Sequence, residues 1–302
     1  MASHQVLQSS LDSFWVSNFE EDKSVRILRS VKTILDPVLV ELCKREPLLD
    51  FNPLNTSSLH QGKTSNILEV ILCLKNFDSS EHMLSIEDGN SPIGFAFAKL
   101  SGKRTSWDEF CIKSNSGKKY LSAKIISEKL HGHLRALLSK KTLTQHVNEF
   151  QTELMEHLED NAVSIKLFSS AETFTLHIIP TIPCKGRWTF GANPWLSEES
   201  HWPSKAMKHE AMNKGIHLVG RSAPTKSPCQ WQIAFLEPWR MLLSDGADNC
   251  RTKCLETFNL ILNRSPLLQK GVTLFLLETV ALNLYKKYGI AFSQQGIRPK
   301  GK

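Results

Sequence analysis

The feature that most constrains the fold is a run of aliphatic and β-branched residues at positions 66–77, which carries one acidic residue, Glu69. Polar turn-forming residues flank this run on both sides, and the pattern is typical of a central β-strand. A carboxylate inside a buried strand costs free energy unless it meets a partner or a metal ion. Glu69 is therefore either a ligand in a working metal site or the remnant of such a site, and we favour the remnant.

The chain is long enough to bury a substantial core. Its 302 residues are 41% hydrophobic and 22% charged, which suits one large domain or two smaller ones. No signal peptide follows Met1, and the longest apolar stretch, residues 271–284, contains Glu278 and is too short to span a bilayer. The seven cysteines are scattered, as in proteins that keep their thiols reduced. We predict a soluble protein of the cytoplasm or nucleus without membrane contact.

The excess of basic residues permits contact with polyanions without requiring it. The net charge is +7 with a pI near 9.0, and the charges are spread along the chain. Two regions with helical periodicity carry cations that would follow a phosphate backbone if they were exposed. These cations are Arg26, Arg29, Lys32, Lys124, Lys129 and Arg135.

Helical periodicity and strand alternation divide the chain into a helical start, a mixed β core and a helical end. Helical patterns cover residues 5–23, 27–46, 120–138, 143–158, 204–215 and the region after 238. Strand patterns cover residues 66–77, 94–100, 107–112, 163–168, 173–179 and 231–235, and Pro180 with Pro183 is expected to end the fifth. Asp36-Pro37 either kinks the long first helix or begins a second one. These elements predict an α+β architecture.

The segment Gly62-Lys63-Thr64 is similar to the end of a phosphate-binding P-loop. That motif needs a glycine at position 57, where Ser57 stands, and a strand directly upstream, where residues 52–55 contain a proline. We therefore interpret residues 62–65 as a polar turn that leads into the Glu69 strand.

Several short segments stand out in a fixed order, among them residues 68–70, 120–124 (YLSAK), 184–188 (CKGRW), 201–203 (HWP), 215–218, 231–235 and 250–255. In this order they resemble the Mab-21-like family, and they are nearer to its developmental members than to its enzyme cyclic GMP–AMP synthase. The resemblance implies a nucleotidyltransferase core over residues 1–237, with a long N-terminal helix and a mixed sheet. It also implies a partial C-terminal helical lobe with a loose basic tail over residues 238–302.

In active relatives, a Gly-Ser loop holds a triphosphate, and three acids on two neighbouring strands hold two magnesium ions. The resemblance places the loop at Ser57 and Ser58, and the three acids at Ile67, Glu69 and His177. One carboxylate of three therefore remains, and imidazole is a poor ligand for magnesium. The resemblance thus implies a degenerate catalytic site without a cofactor, with Glu69 as a weak metal ligand and Ser57, Ser58 and Lys63 as weak nucleotide contacts.

The role of His177 stays open between two interpretations. It shares a predicted strand face with Thr173 and Thr175, and it is either a partner for Glu69 or a core histidine with local hydrogen bonds. We favour the second, because lone buried histidines generally find local partners.

Two features of the C-terminal region depart from the relatives. Cys250 and Cys254 stand where cyclic GMP–AMP synthase has a zinc-binding thumb, but two thiols on one helix face do not complete a tetrahedral site, so we predict packed cysteines. Relatives also continue with more helices after the segment matching residues 270–288, so the lobe is predicted to be truncated. Four apolar residues would lose cover, namely Phe275, Leu276, Val280 and Leu284.

Three functions fit these observations. The first, which we favour, is a non-catalytic scaffold or regulatory binding protein with protein partners and a developmental role. The second is a metal-dependent nucleotidyltransferase of the cyclic-dinucleotide type, which would need magnesium and acids from elsewhere, such as Asp78 or Glu172. The third is a nucleic-acid sensor without catalysis that uses the basic helices. A retained nucleotide pocket without turnover also stays open.

Overall fold

The computed structural model describes residues 21–54, 59–61, 67–75, 77, 84–101, 106–139, 151–168, 173–188 and 203–244, with single helical positions at 255, 257, 258, 280, 281, 283 and 284. Outside these residues lie positions 5–20 of the helix predicted at 5–23 and positions 143–150 of the helix predicted at 143–158. The polar turn at 62–65, and Asp78, Glu172, Cys250, Cys254, Phe275 and Leu276, lie outside them as well. Val280 and Leu284, which were predicted to lose cover, are 53% and 47% exposed.

Four helices have defined bounds in the described part of the chain: α1 (Glu21–Arg45), α2 (Ala123–Leu138), α3 (Lys205–Lys214) and α4 (Leu236–Ser244). α1 is one helix that contains Pro37, so the alternative of a second helix starting there is wrong. It ends directly before Glu46-Pro47, as predicted, because the residue before a proline avoids the helical region. Within the described residues, every helix falls short of the length and apolar character that a membrane crossing needs.

The described strands form one eleven-stranded sheet, ordered β1-β2-β9-β10-β11-β4-β6-β5, with β3 beside β4, β8 beside β9 and β7 beside β8. β2 and β9 pair in parallel, and the other pairs are antiparallel. The strands are β1 (Leu59–Gln61), β2 (Ile67–Cys73), β3 (Leu84–Glu87), β4 (Phe95–Leu100), β5 (Cys111–Lys113), β6 (Lys119–Leu121), β7 (Gln151–Leu154), β8 (Val163–Phe168), β9 (Thr173–Cys184), β10 (Ile216–Val219) and β11 (Gln230–Ala234). Helices and sheet together give the predicted α+β fold.

The sheet buries its two faces differently. Val70 and Leu176 belong to the main core, which also contains Leu35 and Leu42 of α1 and Leu130 of α2. Side chains alternate between the two faces along a strand, so the residues next to Val70 on β2 and next to Leu176 on β9 project from the opposite face of the sheet. There a small apolar cluster forms from Ile71, Ala162, Ile179 and Val219. We call this second side the Glu69 face, because Glu69 lies two residues before Ile71 on β2.

Four expectations about element bounds were wrong. Residues 119–121 form strand β6, and the helix begins only at Ala123 after the capping residue Ser122. Residues 106–110 form a 3₁₀ helix, which leaves only 111–113 as a strand. Residues 151–154 form strand β7, where helix was expected. β9 runs through Pro180 and Pro183 to Cys184, because the carbonyl of Pro180 accepts a sheet bond from Gly220 N–H at 2.9 Å and its missing N–H does not interrupt the pairing.

Ser122→Ala is expected to lower the free energy of unfolding by about 2 kcal/mol. The fully buried Ser122 Oγ accepts from Ile125 N–H at 3.2 Å and donates to the Pro228 carbonyl at 3.0 Å. The substitution removes both bonds and leaves the partly buried Pro228 carbonyl without this donor. Ser204→Ala, at the exposed N-cap of α3, is the matched control with an expected loss of about 1 kcal/mol. Equal losses for the two variants in urea unfolding would contradict this account.

Candidate functional site

Glu69 and His177 lie side by side on the Glu69 face. β2 and β9 pair in parallel with Glu69 opposite His177, and Ile67 opposite Thr175. Directly opposed residues of neighbouring strands project from the same face, so the two polar side chains are neighbours. The residues placed at the three acid positions therefore come together as predicted, but only one of them is a carboxylate. Ser57, Ser58 and Lys63 lie outside the described residues, and their contacts with a nucleotide stay predictions.

The partner of Glu69 is Arg221, which the sequence analysis did not identify. Arg221 Nη2 donates to Glu69 Oε2 in a short ion pair. The Glu69 side chain is 14% exposed and that of Arg221 is 34% exposed, so the pair is partly shielded from water. Arg221 directly follows Gly220, whose N–H bonds to the carbonyl of Pro180 on β9. This backbone contact brings the arginine across β9 to the carboxylate on β2.

His177 contacts a second carboxylate. Its Nε2 lies 3.4 Å from Glu159 Oε2 and makes no hydrogen bond that satisfies normal geometry. On its other side, His177 is opposite Ser164 of β8, whose hydroxyl is also buried without a hydrogen-bond partner. Arg221 Nε is a third buried atom of this kind. The first interpretation of His177 does not match, because Glu69 pairs with Arg221, and the local hydrogen bond of the second is missing at Nε2.

This set of donors does not fit a pair of magnesium ions. Two such ions about 4 Å apart need several shared anionic oxygens. Glu69 is the single carboxylate at the three acid positions, and its charge is already balanced by a guanidinium. Among the described residues, no group of three or more histidine, cysteine, aspartate or glutamate side chains is placed to hold a metal ion.

A second polar group occupies the other end of the Glu69 face, around His217 of β10. His217 is 2% exposed, its Nδ1 has no hydrogen-bond partner, and its Nε2 lies 3.9 Å from Glu237 Oε1 at the start of α4. Burial lowers the pKa of His217 to about 4, although the charge of Glu237 opposes this shift. Burial and the charge of Glu237 also raise the pKa of the nearby Cys73 thiol to about 11, so this thiol is a weak nucleophile.

Comparison with protein families assigns the fold a name. Residues 61–245 match the family model described as the Mab-21 protein nucleotidyltransferase domain, which is more than half of the chain. The chain belongs to the Mab-21 family. The matched Mab-21 region runs from the end of β1 to just beyond α4 and contains Glu69, His177, Arg221 and His217. Comparison with curated proteins gives no match. The family assignment made from the ordered segments is therefore confirmed, and the α+β structure is consistent with a nucleotidyltransferase fold.

Arg221 carries no periodic or compositional signal in the sequence. It lies 152 residues after its partner, two residues beyond the four-residue strand β10. The available clue was indirect: a strand that carries a lone buried acid needs a cation from elsewhere. Arg221 follows the segment at 215–218, one of those that carried the family resemblance. Selecting Arg221 from the many cations of the chain would have required the strand order β2-β9-β10, which sequence patterns do not reveal.

Proposed function

We propose that this Mab-21 protein is a non-catalytic member of the nucleotidyltransferase fold that acts as a scaffold or regulatory binding protein. The observation that carries the proposal is the ion pair between Glu69 and Arg221. Glu69 is the one acid at the three positions, and its negative charge is balanced by a side chain of the same molecule. Protein partners and a developmental setting follow from the resemblance to the developmental members of the family.

The physical argument is electrostatic. A divalent cation that approached Glu69 would meet the fixed positive charge of Arg221, and like charges a few ångströms apart repel strongly where water is partly excluded. Ile67 and His177 supply no anionic oxygen to compensate for that repulsion. Metal-dependent phosphoryl or nucleotidyl transfer depends on the ions that bridge the phosphates and stabilise developing charge. Asp78 and Glu172, the acids named for the alternative with recruited acids, lie outside the described residues. Among the described residues, the carboxylate of Glu159 lies 3.4 Å from His177, while Glu69 pairs with Arg221.

The direct test is a synthesis assay on the purified chain. ATP and GTP are supplied with Mg²⁺ or Mn²⁺, with and without duplex DNA or RNA, and products are separated by chromatography. We expect no cyclic or linear dinucleotide above the level of a Glu69→Gln control, while cyclic GMP–AMP synthase in the same buffer gives product. Dinucleotide formation that disappears in Glu69→Gln would overturn the proposal. Retained nucleotide binding is read separately, as a rise in melting temperature with ATP or GTP.

The nucleic-acid sensor gains less support from the contacts of the basic helices. On α2, Lys124 lies 3.7 Å from Glu128, and Lys129 pairs with Glu109 and lies over the ring of Phe110. On α1, Lys32 donates to the Leu54 carbonyl and lies 3.3 Å from Asp36. These three cations already have acidic neighbours, so they gain less from an added phosphate. Arg29 and Arg135 are exposed, and the alternative of a nucleic-acid interface depends on them. Binding that falls steeply with salt would nevertheless identify such a partner.

A further inference from the structure

The segment that connects β7 to β8 lies against the Glu69 face, and we call residues 155–162 the strap. Its first residue donates from Met155 N–H to the Ser164 carbonyl at 2.9 Å, and its last residue, Ala162, is buried in the small cluster with Ile179 and Val219. Between these ends, the strap passes beside His177 through Glu159. The strap therefore contacts the Glu69 face at His177, through Glu159.

The strap turns sharply at Asp160 and Asn161, and this turn fixes the direction of Glu159. Asp160 has φ 51° and Asn161 has φ 62°, both in the left-handed region that residues other than glycine adopt at a cost. Backbone bonds of 3.1 Å and 2.7 Å between Glu159 and Ala162 close the turn. The Glu159 side chain is 67% exposed, so little besides this turn and His177 determines where its carboxylate lies.

Four links join the strap, the sheet and the loop after β10 into a closed ring. Glu159 contacts His177, and His177 is the direct neighbour of Glu69 across β2 and β9. Glu69 is bound by Arg221. The next residue, Ser222, donates its N–H to the Asp160 carbonyl at 3.2 Å, which returns to the strap beside Glu159.

We propose that this ring acts as a latch that holds the strap against the Glu69 face at His177, and that the strap and the loop after β10 open together. The inference concerns the regulation of the proposed binding site and rests on the proposed function in that sense. Each link is weak alone, because Glu159 and Arg221 are partly exposed and the ring has only one backbone bond between strap and loop. Three buried atoms without hydrogen-bond partners lie beside these contacts, namely Ser164 Oγ, His177 Nε2 and Arg221 Nε. A ligand that reaches these groups must first displace the strap.

Amide hydrogen exchange measured by mass spectrometry tests the latch on the full chain. Glu159→Gln removes the carboxylate that contacts His177, and Arg221→Gln breaks the ion pair with Glu69. Glu156→Gln changes an exposed glutamate of the same strap and is the matched control. We expect each of the first two to speed exchange about two- to fivefold in peptides covering both 155–162 and 220–223. The control leaves both peptides at the wild-type rate. The double variant exchanges no faster than the faster single variant, because in a coupled opening the loss of either contact already releases the other.

The decisive peptides are those that contain no substituted residue. If Arg221→Gln does not fold, the amide exchange rate of peptide 220–223 in Glu159→Gln still tests the latch. Wild-type exchange at 220–223 in Glu159→Gln, or at 155–162 in folded Arg221→Gln, would overturn the latch, as would additive effects in the double variant. Exchange in α2 reports whether each variant is folded. The exchange measurement does not depend on nucleotide turnover. Wild-type exchange in the variants would contradict the latch without affecting the proposed function, and dinucleotide synthesis would contradict the proposed function without affecting the exchange result.

Discussion

Gly215→Ala is expected to lower the free energy of unfolding by about 3 kcal/mol, the largest stability loss of the substitutions considered. Gly215 has φ 69°, and a Cβ built on it would lie 2.1 Å from the Cys184 carbonyl oxygen and 2.9 Å from Gly186 N. Those neighbours are backbone atoms, so they cannot move away as a flexible side chain would. Gly215 N–H also donates to the Ala211 and Met212 carbonyls at 3.1 Å, which closes α3. Its φ of 69° and ψ of −166° lie in a region that is open essentially only to glycine.

The matched control is Gly132→Ala. Gly132 lies inside α2, and a Cβ there would meet no atom within 4 Å. Alanine is favoured over glycine in a helix interior, so this variant is expected to gain up to about 1 kcal/mol. Urea unfolding of both variants, with the slope checked for constancy, measures the difference. A loss under about 1 kcal/mol for Gly215→Ala would mean that the turn between α3 and β10 relaxes freely.

The junction at Gly215 also matters for the site. β10 begins at Ile216, which pairs with Cys184, and the strand carries His217 before the chain reaches Arg221. A shift of one residue in this pairing would turn His217 toward the main core and move Arg221 away from Glu69. We therefore expect the Gly215 variant to speed amide exchange in β10 as well as to unfold more easily.

Much of the sheet could be predicted from local patterns. β2 and β8 are runs of β-branched and aliphatic residues between turn residues, and such runs have few alternatives when they are short and bounded. Three-residue strands such as β6 are too short to show alternation, so the residues before Ser122 were assigned to the helix that follows. Here a usable signal existed, because a serine directly before a helical pattern marks its first turn.

The site was harder to predict, because its contacts join distant parts of the chain. The neighbours Glu69 and His177 followed from the family resemblance, which supplied the strand pairing. Arg221 and Glu159 did not follow, since both lie in loops whose paths depend on tertiary packing. The family resemblance placed Ile67 and His177 at positions where active relatives have acids. Nothing in the sequence identified Arg221 as the cation that pairs with Glu69.

Acidification is expected to destabilise the fold through His217 by as much as roughly 3 kcal/mol. Burial lowers the pKa of His217 to about 4, from 6.5 in the unfolded chain. Above pH 6.5 the imidazole is neutral in both states and contributes no pH dependence. Between pH 6.5 and about 4, the unfolded chain binds the proton first, so stability falls as pH falls, and the loss is complete below about 4. Lys185 and Arg240 add to the cost of the charged form, and Glu237 reduces it.

His217→Phe isolates this term, because phenylalanine fills a similar planar volume and does not titrate. The measurement is the free energy of unfolding by urea at several pH values from 7.5 to 4.5, in the wild type and the variant. We expect the two curves to run parallel near pH 7.5 and to diverge below pH 6.5, with the wild type losing stability more steeply. His157→Gln, which replaces an exposed histidine of the strap, controls for the loss of an imidazole elsewhere. Parallel curves for wild type and His217→Phe down to pH 4.5 would show that the folded chain accommodates a charged His217, and that the Glu237 carboxylate is close enough to stabilise it.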